Sequence, residues 1–108
     1  MIQIRTLKSA DGIIRLRING HANSQEVGKD LVCAAVSGIV TGAMNALDEI
    51  LPQTCELSCG EGFAEIIVLE NSKDLQTVLK TVLWQLLTVE QEYPKYVKLI
   101  EELQEVKL

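Results

Sequence analysis

Residues 13–37 read I-I-R-L-R-I-N-G-H-A-N-S-Q-E-V-G-K-D-L-V-C-A-A-V-S, and two periods meet in that stretch. Up to Asn19 the chain alternates, with Ile14, Leu16 and Ile18 on one side and Arg15 and Arg17 on the other. A period of two marks a strand with one buried face. From Lys29 onward apolar residues recur every three or four positions, which is helical spacing. Between them lies a polar segment without period, bounded by Gly20 and Gly28. Its glycines suit either a lid that moves or an ordinary surface connection. A strand that passes through a loop into a long helix implies a sheet with helices laid on it.

The flanking sequence fits that plan. Residues 1–7 alternate as M-I-Q-I-R-T-L, and Asp11-Gly12 is a hairpin turn signal, so residues 1–19 form an antiparallel hairpin. The helix is expected over 29–51, carrying Leu31, Val32, Ala35, Val36, Ile39, Val40, Ala43, Leu47 and Ile50 at helical spacing, with Pro52 ending it. Gly38 and Gly42 in its interior cost about 1 kcal/mol each relative to alanine. That implies close approach to another backbone: the sheet, a second helix or a second subunit. Residues 53–59 and 63–69 form a second hairpin around Gly60-Glu61-Gly62. Asn71-Ser72 starts a second long helix, with Asp74 in its first turn and Leu75, Val78, Leu79, Val82, Leu83, Leu86 and Leu87 as its stripe. Tyr93-Pro94 interrupts the stripe, and Val97, Leu99, Ile100 and Leu103 are assigned to a third helix. The expected fold is α+β: one domain over 1–108, a four-stranded sheet in ββαββα(α) order with the helices packed on it. Two strand pairs leave an edge or a helix face uncovered, so a homodimer is expected.

Composition narrows the function. At 108 residues and 47% hydrophobic with 4% aromatic, the chain builds one core from Leu, Ile, Val and Ala. A formal charge of -5 argues against direct nucleic-acid binding and is compatible with a basic partner. No signal-peptide pattern is visible, and no run is expected to reach the ~20 apolar residues of a membrane span. The expected compartment is the cytoplasm, and three cysteines, an odd number, fit free thiols there.

The chemistry-bearing residues cluster around the opening stretch. Cys33 falls in the second turn of the first helix, where the helix dipole favours an anion. Asp30 precedes it by three residues and Ser37 follows it by four, so the three share one helix face. His21, the single histidine, opens the loop that leads into the same helix. A thiol needs a neighbouring base to act as a nucleophile at neutral pH, and histidine suits that task. Asp30 would either orient His21, as a third triad member does, or cap the helix. The competing reading makes Cys33 a small buried hydrophobe and His21 a strand-end residue. Cys55 and Cys59 share a strand face with Leu57 between them and read as core; their spacing fits neither a zinc pair nor a disulfide across ~13 Å. No metal or other cofactor is expected, and no phosphate-binding loop or nucleophile elbow is present.

Gly20-His21-Ala22, Gly28-Lys29-Asp30 and Val32-Cys33-Ala34-Ala35-Val36-Ser37 together resemble the ribosomal-processing cysteine protease family of Firmicutes and related bacteria. The resemblance extends along nearly the whole chain, with Leu31 standing where isoleucine is common. It implies a homodimeric endopeptidase that removes the N-terminal extension of large-subunit ribosomal protein L-twenty-seven, cutting after two aromatic residues and before a small one. It implies His21 as general base and Cys33 as nucleophile, with a mobile loop over 22–29. Asp30 and Ser37, together with Gly20, Ala22 and Gly28, are the implied supporting or substrate-binding positions. Two other readings remain: a non-catalytic ribosome-associated binding module, and a thiol redox sensor.

Overall fold

The computed structural model describes residues 1–20 and 29–104, with Lys29 and Asp30 described in their backbone only. The elements are β1 (Ile2–Ser9), β2 (Gly12–Asn19), α1 (Lys29–Ile50), β3 (Cys55–Gly60), β4 (Phe63–Val68), α2 (Lys73–Glu92) and β5 (Val97–Leu103). The strands form one five-stranded sheet in the order β3-β4-β2-β1-β5. Each hairpin pairs with itself, and the antiparallel β2–β4 ladder joins the two. The helices are the crossovers: α1 carries the chain from β2 past β4 to β3, and α2 carries it from β4 past β2 and β1 to β5. Such connections between parallel strands need the length of a helix.

β5 corrects the expectation of a third helix and of four strands. V-K-L-I-E-E-L satisfies either period over so short a span, because Val97, Leu99 and Leu103 alternate while Val97, Ile100 and Leu103 recur every three. The free edge of β1 decides between them. β5 lies parallel to β1 with Ile2 opposite Val97 and Ile4 opposite Leu99. The Ile2 amide donates to the Tyr96 carbonyl at 2.9 Å, and the Gln104 amide to the Lys8 carbonyl at 2.8 Å. An edge that would have exposed a row of unpaired backbone groups is thereby covered.

The core lies between one face of the sheet and the helices. Ile2, Ile4, Leu16, Ile18, Ile66 and Val97 face Val32, Val36, Val40 and Leu47 of α1 and Leu75, Leu79, Val82 and Leu86 of α2, all buried. The register shifts between Leu7 and Lys8, so Ile13 rather than Ile14 enters this core. A bulge inserts one residue and reverses the side on which its neighbours fall. Gln76 of α2 fastens the bulge: its Oε1 accepts from the Ile13 amide and its Nε2 donates to the Ile13 carbonyl, both at 2.8 Å. Ser72 caps α2, its hydroxyl accepting from the Leu75 amide at 3.0 Å. All three arginines lie on the opposite face, where Arg17 pairs with the buried Glu65 at 2.6 Å and Arg5 with Glu102 at 3.5 Å.

Two observations on α1 depart from the sequence reading. Its segment Leu31–Ile50 is, by length and composition, apolar enough to cross a membrane. That apolarity is shared between the side packed on the sheet and an outer side of Ala34, Ala35, Gly38 and Gly42, all exposed. A Cβ placed at Gly38 or Gly42 would meet nothing within 4 Å. The close backbone approach expected of these glycines is therefore not made among the described residues. Both instead line a groove of about 660 Å³ between α1 and α2.

Candidate active site

α1 delivers Cys33 as the fifth residue of the helix, half-buried. Val36, Ser37, Val40, Thr41 and Met44 follow it along one stripe, and with it they wall a cavity of about 260 Å³ over the end of the sheet. Ile18, Phe63 and Ala64 line the opposite wall, and Cys59 and Gly60 the outer lip. The helix stripe is polar at its solvent side, where Ser37 and Thr41 are exposed, and apolar at its base, where Val36, Val40 and Met44 are buried. A concave, largely apolar cleft with a thiol in its wall suits a polypeptide segment carrying apolar side chains.

Gly20 holds the far end of the cavity together. It ends β2 with φ +123, and a Cβ there would lie 2.2 Å from the Met1 carbonyl oxygen and 3.1 Å from Ile2 Cα. Its amide donates to the Gly62 carbonyl at 3.0 Å, locking the end of β2 to the β3–β4 turn. Only glycine occupies that conformation beside another backbone without strain. The glycine identified from sequence as loop punctuation is thus a structural part of the cavity wall.

The other sequence-derived positions divide. Cys33, Ser37 and Gly20 line one cavity. His21, Ala22 and Gly28 lie outside the described residues, and Asp30 is placed only as part of the α1 backbone. Thr41, Met44 and Phe63 were missed. Thr41 was within reach, because continuing the Cys33–Ser37 spacing by one more turn arrives at it. Phe63 carried no such signal, since its place depends on which strand ends meet beneath α1.

The remaining thiols also separate. Among the described residues all three cysteines are free. Cys55 packs against the core, and burial pushes its thiol above the ordinary value, opposed by a hydrogen bond from the Thr54 hydroxyl at 3.8 Å. Cys59 shares that strand face but is exposed at the cavity lip, which corrects the expectation that both are core. It stands at the end of an outer strand, past the cover of α1. No three His, Cys, Asp or Glu side chains among the described residues are grouped to hold a metal ion.

Comparison with known proteins places this chain in a family. The model of the cysteine protease Prp family matches residues 1–98. The ribosomal processing cysteine protease Prp of Bacillus subtilis (strain 168) is 35% identical, over 86% of this chain and 90% of its own. Its counterpart in Mycoplasma pneumoniae is 34% identical, over 77% and 82%. The fold matches the crystal structure of the essential ribosomal processing protease Prp from S. aureus with a substrate peptide, at TM-score 0.86 and 26% identity over 94% of this chain and all of that one. The same S. aureus enzyme with a covalently linked product peptide matches at TM-score 0.84 and 27% identity, again over 94% of this chain. Matched along nearly its whole length by the family model and by peptide-bound members, the chain belongs to the ribosomal processing cysteine protease Prp family and is a cysteine protease.

Proposed function

We propose that this protease removes the N-terminal extension of large-subunit ribosomal protein L-twenty-seven in the cytoplasm, with Cys33 as nucleophile and His21 as general base. The observation that carries the reading is the shared wall: Cys33 and Gly20 line one cavity, and His21 follows Gly20 directly in sequence. In the reaction His21 takes the proton of the Cys33 thiol, and the thiolate sulfur attacks the scissile carbonyl carbon. The tetrahedral oxyanion collapses, the C–N bond breaks, and His21 returns the proton to the departing amine. Water then attacks the thioester, its proton passing to His21, and the new carboxyl group leaves as the thiol is restored. Ser37 on the cavity wall and Asp30 on the same helix face support the site or contact the peptide. Ala22 and Gly28 are the further substrate-binding positions in this reading.

The apolar base of the cavity, Val40, Met44 and Phe63, suits aromatic side chains before the cut, and the net charge of -5 suits a basic substrate. The working unit is a homodimer. The uncharged outer side of α1, with the unfilled space at Gly38 and Gly42, supplies a surface where two helices approach closely.

The test is incubation of the extended ribosomal protein with the enzyme, followed by mass spectrometry of the product. A new N-terminus just after an aromatic pair, lost in Cys33→Ala and in His21→Ala, is expected. An intact substrate, or full cleavage by Cys33→Ala, overturns the reading.

A further inference from the structure

β3 is an outer strand of the sheet, and its hydrogen-bonding pattern gives its free edge a direction. The Leu69 amide donates to the Thr54 carbonyl at 2.9 Å, which makes Thr54 and Leu69 a hydrogen-bonded pair of the β3–β4 ladder. Such pairs alternate with non-bonded ones. With Glu56 opposite Ile67, Ser58 opposite Glu65 and Gly60 opposite Phe63, those three residues of β3 also bond inward. Cys55, Leu57 and Cys59 therefore turn their backbone N–H and C=O groups outward, away from β4. Side chains alternate in step: Cys55 and Leu57 pack on the core, and Cys59 lines the catalytic cavity. The outward-facing backbone row runs from the lip of the cavity along the edge for ~13 Å.

The two outer edges of the sheet differ. β5 carries Lys98, Glu101 and Glu102, and ion pairs to Lys8 and Arg5 tie the two glutamates to β1. Charges of that kind discourage a further strand. β3 reads C-E-L-S-C-G, with the single charge of Glu56 and no proline. Among the described residues, the edge that adjoins the cavity is the one left open to pairing.

We propose that the polypeptide substrate binds as an added strand on β3, its backbone hydrogen-bonded to Cys59 and Leu57, with the scissile bond led from that edge into the cavity at Cys33. The occupant is an extended peptide, because only a backbone supplies donors and acceptors at the period of the edge. A substrate residue opposite Cys59 sends its side chain to the cavity face, and its two neighbours send theirs to the other face. Main-chain pairing thus fixes which side chains the cleft inspects. This rests on the peptidase reading above and adds how the substrate is registered.

The experiment is an N-methyl scan of a cleavable synthetic peptide spanning the aromatic pair, read as kcat/KM for each single N-methyl variant. Strand addition predicts alternation: about tenfold or greater loss at every second residue over at least four positions, and about twofold or less between them. On the protein side, Leu57→Pro removes one outward N–H and no bond to β4, and it is compared with Leu57→Ala, which loses the same core side chain but keeps the N–H. Leu57→Pro is expected to raise KM about fivefold over Leu57→Ala while leaving the rate of Cys33 alkylation by iodoacetamide unchanged. Cleavage of the parent peptide with no alternation overturns strand addition and leaves the peptidase reading standing. Failure to cleave the parent peptide overturns both.

Discussion

Gly20→Ala tests whether one backbone position holds the cavity together. At φ +123 a residue with a Cβ stores about 1–3 kcal/mol of strain. The added carbon would also sit 2.2 Å from the Met1 carbonyl oxygen, well inside contact, and that neighbour is backbone. Relief requires the end of β2 to part from the start of β1. That motion weakens the Gly20–Gly62 bond of 3.0 Å and the Ile2–Tyr96 bond of 2.9 Å, each contributing about 1 kcal/mol. The expected destabilisation is about 3–5 kcal/mol, which for 108 residues lowers Tm by about 13–22 °C. Thermal melts followed by circular dichroism read this directly. Peptide cleavage at a temperature where the variant remains folded is expected to fall more than about tenfold, because displaced walls misplace reacting groups. Gly60→Ala is the control: a Cβ there meets nothing within 4 Å, and Tm is expected within about 3 °C of wild type. Unchanged Tm and activity in Gly20→Ala would show that this backbone position does not hold the cavity together.

Three further outcomes are expected. Gln76→Leu keeps the volume but leaves the buried Ile13 amide and carbonyl unpaired, and urea unfolding should show a loss of about 2–4 kcal/mol; a loss under 1 would contradict the anchoring role. Gly38→Leu fills the α1–α2 groove, and for the proposed homodimer sedimentation should show a shift to monomer while circular dichroism still shows a folded chain; an unaltered dimer would remove this face from the interface. Burial raises the Cys55 thiol, so its contribution to stability is present below the unfolded-state pKa of about 8.5 and is lost as pH rises through the higher folded value. Unfolding free energy should decline between pH 8 and 10 less steeply in Cys55→Ala than in wild type, and equal slopes would contradict the assignment.

What the sequence disclosed, and what it hid, has a common physical reason. Periods sustained over many residues were legible: the alternation of 1–7 and the helical stripe of 29–51 both appear in the structure, α1 ending at Ile50. The Asn71-Ser72 cap was legible because a hydroxyl before a helix has a specific task, which Ser72 performs. β5 was not, because a seven-residue segment satisfies two periods and its state is set by the free edge of β1, a partner more than ninety residues away. The bulge at Leu7/Lys8 was hidden likewise, and moved the core position from Ile14 to Ile13. Of the cavity lining, local spacing put Cys33 and Ser37 on one helix face. Met44 and Phe63 belong to the cavity only because β2 and the β3–β4 turn end beneath that part of α1. Cys59 was misjudged for a related reason, since alternation fixes the face of a residue but not whether a helix covers that end of the strand.

Trapping the covalent intermediate tests directly whether Cys33 is the nucleophile. Enzyme mixed with a cleavable aromatic-pair peptide, quenched in acid within milliseconds to seconds and digested, is analysed by mass spectrometry for the acylated cysteine. A thioester adduct of the N-terminal product is expected on Cys33, absent from Cys33→Ala and still formed by Cys59→Ser. An adduct on Cys59, or cleavage at the wild-type rate by Cys33→Ala, would contradict that role for Cys33.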